Sequence, residues 1–120
     1  MRVLVCGGRD YRDYTKVCEV LDDLRKKLQL AEPLVVIEGG ARGADTMAKM
    51  WATAVPNATV VEYPADWTTY GKSAGYIRNS QMLKEGKPDL VVAFPGGTGT
   101  AMMVKIAKLA GVEVIEVEND

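Results

Sequence analysis

Two rhythms of hydrophobic and polar positions alternate along the 120-residue chain. Five short runs rich in β-branched and aliphatic residues fall at 2–6, 34–38, 59–63, 90–94 and 112–117. They are continuous rather than in–out alternating, the pattern of strands covered on both faces. Between them lie four stretches with helical spacing. Val17, Val20, Leu21, Leu24 and Leu28 form one stripe while Arg25, Lys26 and Lys27 face water. Ala44, Met47, Ala48, Trp51 and Val55 form the next, ended by Pro56-Asn57. A weaker third helix over 72–84 turns Ala74, Ile77 and Met82 inward. The fourth, over 99–110, presents Met103, Ile106, Ala107 and Ala110, and Gly111 stops it. Strand–helix alternation at this spacing predicts an α/β fold, a Rossmann-like open parallel sheet of about five strands with helices on both faces. Residues 1–120 read as a single domain, with no repeat, low-complexity tract or linker.

Composition narrows the chemistry. The chain is 48% apolar and 26% charged, which is ordinary globular usage, and about two thirds of the unfolded surface can be buried at this size. Fifteen basic and sixteen acidic residues give a net charge of −1, which argues against attachment to nucleic acid or anionic lipid by bulk charge. With no histidine there is no imidazole acid, base or metal ligand. Cys6 and Cys18 are too few for a thiolate zinc site, so neither metal nor cofactor is expected. No apolar run approaches the ~20 residues of a membrane span, and the opening runs straight into strand-like sequence without room for a signal peptide. The expectation is a soluble, cytoplasmic domain with no membrane partner.

Twelve glycines stand above the average of about 7%, and their placement is the informative part. Gly7-Gly8 follows the first strand, Gly39-Gly40 with Gly43 the second, and Gly96-Gly97 with Gly99 the fourth. That edge of an open parallel sheet is where ligands bind. Glycine lets the backbone approach a ligand, and a following helix N-terminus offers amides and partial positive charge to an anion. In Phe94-Pro95-Gly96-Gly97-Thr98-Gly99-Thr100, the hydroxyls of Thr98 and Thr100 join those amides as a phosphate cradle. The bland alternative is a tight turn with Thr98 or Thr100 as N-cap. No Lys-Ser/Thr pair follows, so it is not a Walker A loop. Arg9, Arg42, Lys72 and Arg78 lie near these corners and would form a local positive patch if they converge. Asp10, Asp45 and Asp66 lie there too, as ribose partners or a general base, with Asp45 equally suited to a first helical turn. Trp67 and Tyr70 are candidates to stack on a base or to anchor a loop, and Cys6 reads as a small hydrophobe at the end of a buried strand.

Taken together, Val5-Cys6-Gly7-Gly8-Arg9-Asp10-Tyr11, Glu38-Gly39-Gly40-Ala41-Arg42-Gly43-Ala44-Asp45, Pro64-Ala65-Asp66-Trp67, Gly71-Lys72, Arg78-Asn79 and Pro95-Gly96-Gly97-Thr98-Gly99-Thr100 resemble the YspA/YpsA-related branch of the SLOG superfamily. That superfamily groups the DNA-processing protein DprA with the LOG proteins. The resemblance runs in order through essentially the whole chain. It implies a Rossmann-like fold that binds or senses nucleotides or nucleotide-derived ligands such as ADP-ribose, and by analogy with LOG proteins a homodimer. LOG enzymes hydrolyse the N-glycosidic bond of nucleoside monophosphates with an Arg and a Pro-Gly-Gly-x-Gly-Thr-x-x-Glu run. Arg78 resembles that Arg, but Met103 stands where the Glu belongs. An oxocarbenium-like transition state wants a carboxylate, so an N-glycosidase would need Asp45, Asp66 or Glu38 to supply it. A DprA-like DNA-binding module is the third alternative, and the acidic balance counts against it. The candidate ligand-binding set is Gly7, Gly8, Arg9, Gly39, Gly40, Arg42, Gly43, Asp45, Trp67, Lys72, Arg78, Gly96, Gly97, Thr98, Gly99 and Thr100, with Arg78, Asp66 and Asp45 as catalytic candidates.

Overall fold

The computed structural model describes residues 1–28 and 33–118. Strands β1 (Arg2–Cys6), β2 (Leu34–Glu38), β3 (Ala58–Glu62), β4 (Leu90–Ala93) and β5 (Glu113–Glu116) form one sheet in the order β3-β2-β1-β4-β5. Every neighbouring pair is parallel. The helices are α1 (Tyr14–Leu28), α2 (Ala44–Ala54), α3 (Trp67–Tyr70), α4 (Ala74–Gly86) and α5 (Thr98–Leu109), with a 3-10 turn at Gly71–Ser73 before α4. This is the expected Rossmann-like α/β sheet.

Continuous apolar strands are explained by burial on both sides. On one face Val3, Val5, Leu34, Val36, Leu90 and Val92 pack with Val17 and Leu21 of α1 and Met47, Ala48 and Trp51 of α2. On the other, Leu4, Cys6, Ile37, Val91 and Ala93 meet Met82 of α4 and Met103, Val104 and Ala107 of α5. Trp51 is core, as its stripe predicts, and its indole N–H is satisfied by Asp22 at 2.9 Å. The side chain of Leu28, assigned to the first stripe, lies outside the described residues.

The third helical stretch departs from expectation. Its amphipathic part starts at Ala74, two residues later than the pattern suggested, because α3 and the 3-10 turn occupy the preceding segment. Ile77, assigned inward, is 40% exposed, and Asn79 is buried instead. The inward stripe is polar at that point for a reason found at the site. β3 begins one residue early, and β5 is trimmed at both ends. Among the described residues, no helix is long and apolar enough to cross a membrane.

Strand order reverses between β1 and β4, so their outgoing loops diverge to opposite faces and leave a crevice beyond their carboxyl ends. The two loops are stitched by Gly8 N–H donating to the Pro95 carbonyl at 2.9 Å.

Candidate functional site

A cavity of about 370 Å³ occupies this crevice. Gly7, Gly8 and Arg9 form one wall and Gly97, Thr98, Gly99 and Thr100 the opposite one. Trp67, Lys72, Gly75, Tyr76 and Arg78 close the side beneath α3 and α4, while Cys6, Asp45, Asn79 and Met82 lie deeper. Eleven of the sequence candidates therefore line one space: Gly7, Gly8, Arg9, Asp45, Trp67, Lys72, Arg78, Gly97, Thr98, Gly99 and Thr100.

The three glycine corners turn out to do three different jobs. At the third, Gly97 is the N-cap of α5 and no side chain caps the helix. The first-turn amides of Thr98, Gly99 and Thr100 have no intrahelical acceptor by geometry, so they face the cavity mouth with the positive end of a twelve-residue helix. Neither threonine serves as the N-cap; both hydroxyl-bearing residues stand in the first turn. Gly96 sits behind this cradle, where a Cβ would meet Thr100 and the Gly8 amide.

The second corner gives three of its amides to the chain itself. Gly39 N–H and Ala41 N–H donate to Asp45 Oδ2 at 3.2 and 3.3 Å, and Gly40 N–H donates to Glu38 Oε1 at 2.7 Å. This departs from the expectation that the glycine corners turn their amides toward one anion: two carboxylates of the chain itself take the Gly39, Gly40 and Ala41 amides of the middle one. Gly39 and Gly40 lie off the cavity wall. Gly39 acts through its carbonyl, which accepts from Arg78 Nη1. Gly43 packs beneath the first corner, against the backbone of Gly8 and Arg9.

Arg78 is the best-held cation. Besides Gly39, its Nε donates to Asn79 Oδ1 at 2.9 Å, and Asn79 Nδ2 donates to the Gly99 carbonyl at 3.2 Å. Buried Asn79 thus ties the guanidinium to the α5 cradle, which is why a polar residue interrupts the apolar stripe of α4. Replacing Asn79 with leucine leaves Arg78 Nε and the Gly99 carbonyl without this partner, so a loss of about 2 kcal/mol is expected. The urea unfolding midpoint checks it.

Burial and charge set the protonation of the deep groups. Burial pulls the Arg78 guanidinium below its ordinary value, opposed by the carboxylates of Asp45 and Glu38. Burial likewise pushes Asp45 up to about 6 despite the amides of Ala41 and Gly39 and the charge of Arg78. Asp45 is 6% exposed and borders the cavity, and its Oδ2 carries both amide bonds. Cys6, on the floor, has its thiol pushed up to about 12 by burial and stays protonated, as a small hydrophobe would.

Two charged candidates stand outside. Arg42 is exposed and pairs with Asp10 at 3.3 Å instead of converging on the cavity. Asp66 is exposed and accepts from Thr69 N–H at 3.1 Å as the N-cap of α3. Local capping claims it, and that fixes the segment carrying Trp67. Above Trp67 lies the Arg9 guanidinium, 5.1 Å from the ring centroid. The ligand-binding set drawn from the sequence missed six lining residues, Cys6, Ala41, Gly75, Tyr76, Asn79 and Met82. Spacing from Arg78 on one helix face was the available signal for Met82, four residues on.

Comparison with known proteins shows the family. The family model described as YspA, cpYpsA-related SLOG family matches residues 1–70, from β1 through α3. The Gene 61 protein of Mycobacterium phage D29 is 40% identical over 120 residues, spanning 95% of this chain and 94% of the relative, and so also covers the segment of α4 and α5. The chain belongs to the YspA, cpYpsA-related SLOG family.

Proposed function

We propose that the cavity binds a nucleotide or nucleotide-derived ligand, of ADP-ribose or nucleoside-monophosphate type, in a binding or sensing role. One observation carries this: the uncapped N-terminus of α5 opens into the same space as Arg9, Lys72 and Arg78, in a protein of net charge −1. Three cations and a helix dipole aimed at one void, in a chain with no overall positive charge, are arranged for an anion. The phosphate sits on the amides of Thr98, Gly99 and Thr100 with the threonine hydroxyls beside them. Asp45 accepts from ribose hydroxyls, and Trp67 and Tyr76 supply aromatic surface for a base. A cavity of about 370 Å³ suits a small molecule rather than a duplex.

Melting of the protein is followed with AMP, ADP-ribose, NAD and a single-stranded oligonucleotide. A ligand at 100 times its dissociation constant is expected to add about 2.7 kcal/mol, and binding should also change the fluorescence of Trp67. No shift with any of the three nucleotides defeats the proposal, and a shift with the oligonucleotide alone favours a DprA-like module.

Asp45 also favours a second reading, an N-glycosidase. A buried carboxyl with its pKa raised to about 6, bordering the cavity beside Arg78, is placed to protonate a leaving base or activate water. Met103, at the position of the LOG glutamate, is wholly buried in the core, so no acid enters from α5 there. Release of free base from AMP, abolished by Asp45→Asn and retained in Asp66→Ala, would identify the enzyme.

A further inference from the structure

Glu38 is a fully buried acid at the end of β2, and nothing in the proposed ligand contacts uses it. Its Oε1 accepts from Gly40 N–H at 2.7 Å, whereas Oε2 has no hydrogen-bond partner. Register puts Glu62 of β3 directly beside it on the neighbouring parallel strand. Glu62 itself lies against Gly40 and pairs with Lys49 of α2 at 3.3 Å. Asp45 of α2 and Arg78 of α4 complete the charges facing Glu38.

A buried Glu38 carboxylate with one oxygen unpartnered, beside the half-exposed Glu62 carboxylate that Lys49 holds, is costly unless a proton lies between the two acids. We propose that Glu38 and Glu62 share one proton, Glu38 as donor and Glu62 as acceptor, and that this acid pair sets the Gly39–Gly40 turn whose carbonyl positions Arg78. Anion binding in the cavity is then linked to that proton, a consequence that rests on the ligand proposed above. Glu38 is a positioning residue: it acts on the ligand through the turn and Arg78. Burial, then the neighbouring Glu62 carboxyl, raises the Glu38 carboxyl to about 8, while Glu62 is lowered first of all by its interaction with Glu38 and then further by Lys49.

The sign follows from linkage. Unfolded, Glu38 releases its proton near 4.5; folded, it holds it to about 8. The stability it contributes is complete below the lower value and is lost as pH rises through the upper one. Asp45 adds a similar fall, from its ordinary 3.8 to about 6. Between pH 6.5 and 8.5 the ligand-free wild type is expected to lose several degrees of melting temperature, while E38Q, which keeps a donor toward Glu62 and has no proton to lose, stays level. Parallel falls in the two proteins overturn the acid pair. Should E38Q fail to fold, E62Q decides: the fall moves to lower pH if Glu62 is the acceptor, and an unchanged profile overturns the pair.

A second arm uses ADP-ribose, whose bridging diphosphate does not titrate in this interval. With a Glu38 value of about 8, one linked proton predicts an affinity about fourfold weaker at pH 8.5 than at 6.5 in the wild type, and no change across the interval in E38Q. Equal weakening in both removes the link to Arg78. If ADP-ribose binds at neither pH, the choice of this ligand fails and the melting profiles still decide the acid pair.

Discussion

Gly43→Ala is expected to lower stability by about 3–4 kcal/mol, the range reached when backbone strain and a buried clash add together. Gly43 has φ +81 and ψ −127, a conformation that a side chain resists wherever it is placed. Its Cβ would also meet the Gly8 carbonyl and come within 2.7 Å of the Arg9 oxygen and 2.8 Å of the Arg9 carbonyl carbon. These are backbone atoms that cannot rotate away. The same Gly8 carbonyl accepts from Tyr11 and Ala44 N–H at 3.2 Å each, so pushing on it loosens the junction between the first two corners. At this chain length the melting point should fall by at least ~10 °C. Gly99→Ala is the control: a Cβ there meets nothing within 4 Å, and its melting point should stay close to wild type.

Arg78→Ala should abolish most ligand binding while leaving a folded protein. A charge-assisted hydrogen bond contributes about 1.5–3 kcal/mol, which is roughly a 10- to 150-fold weakening toward AMP or ADP-ribose by calorimetry. The deletion also removes the positive charge facing Asp45 and Glu38, so the Asp45 carboxyl should climb further above its present value of about 6. Arg78→Lys should not restore affinity. The guanidinium reaches Gly39 through Nη1 and Asn79 through Nε at once, and a single ammonium cannot reproduce that planar fork. Retained affinity in Arg78→Ala would remove Arg78 from the binding machinery and leave the α5 cradle with Arg9 and Lys72.

From spacing alone Arg42 is as good a candidate as Arg78 and Asp66 as good as Asp45. The structure separates them by what competes for each group. Arg42 lies on the outer side of its loop, where Asp10 pairs with it in solvent. Asp66 is occupied by the Thr69 amide as the N-cap of α3, whereas Asp45 lies buried under the cavity with Arg78 as its larger compensating charge.

What the sequence determined on its own was the scaffold: five parallel strands, helices on both faces, and the edge on which three glycine corners gather. Those features follow from local periodicity and from burial on two faces, and each is written within a few residues of itself. The tertiary structure decided which amides remain free. Gly39, Gly40 and Ala41 are claimed by Asp45 and Glu38, Gly8 by Pro95, and the α5 entry is left uncapped. It also decided that Glu38 and Glu62, far apart in the chain, stand shoulder to shoulder. The bonds of Asp45 and Glu38 close within residues 38–45, but the Gly8–Pro95 bond and the Glu38–Glu62 neighbourhood depend on which strand ends meet across the sheet, and strand order is a property of the whole fold that no short window of residues contains.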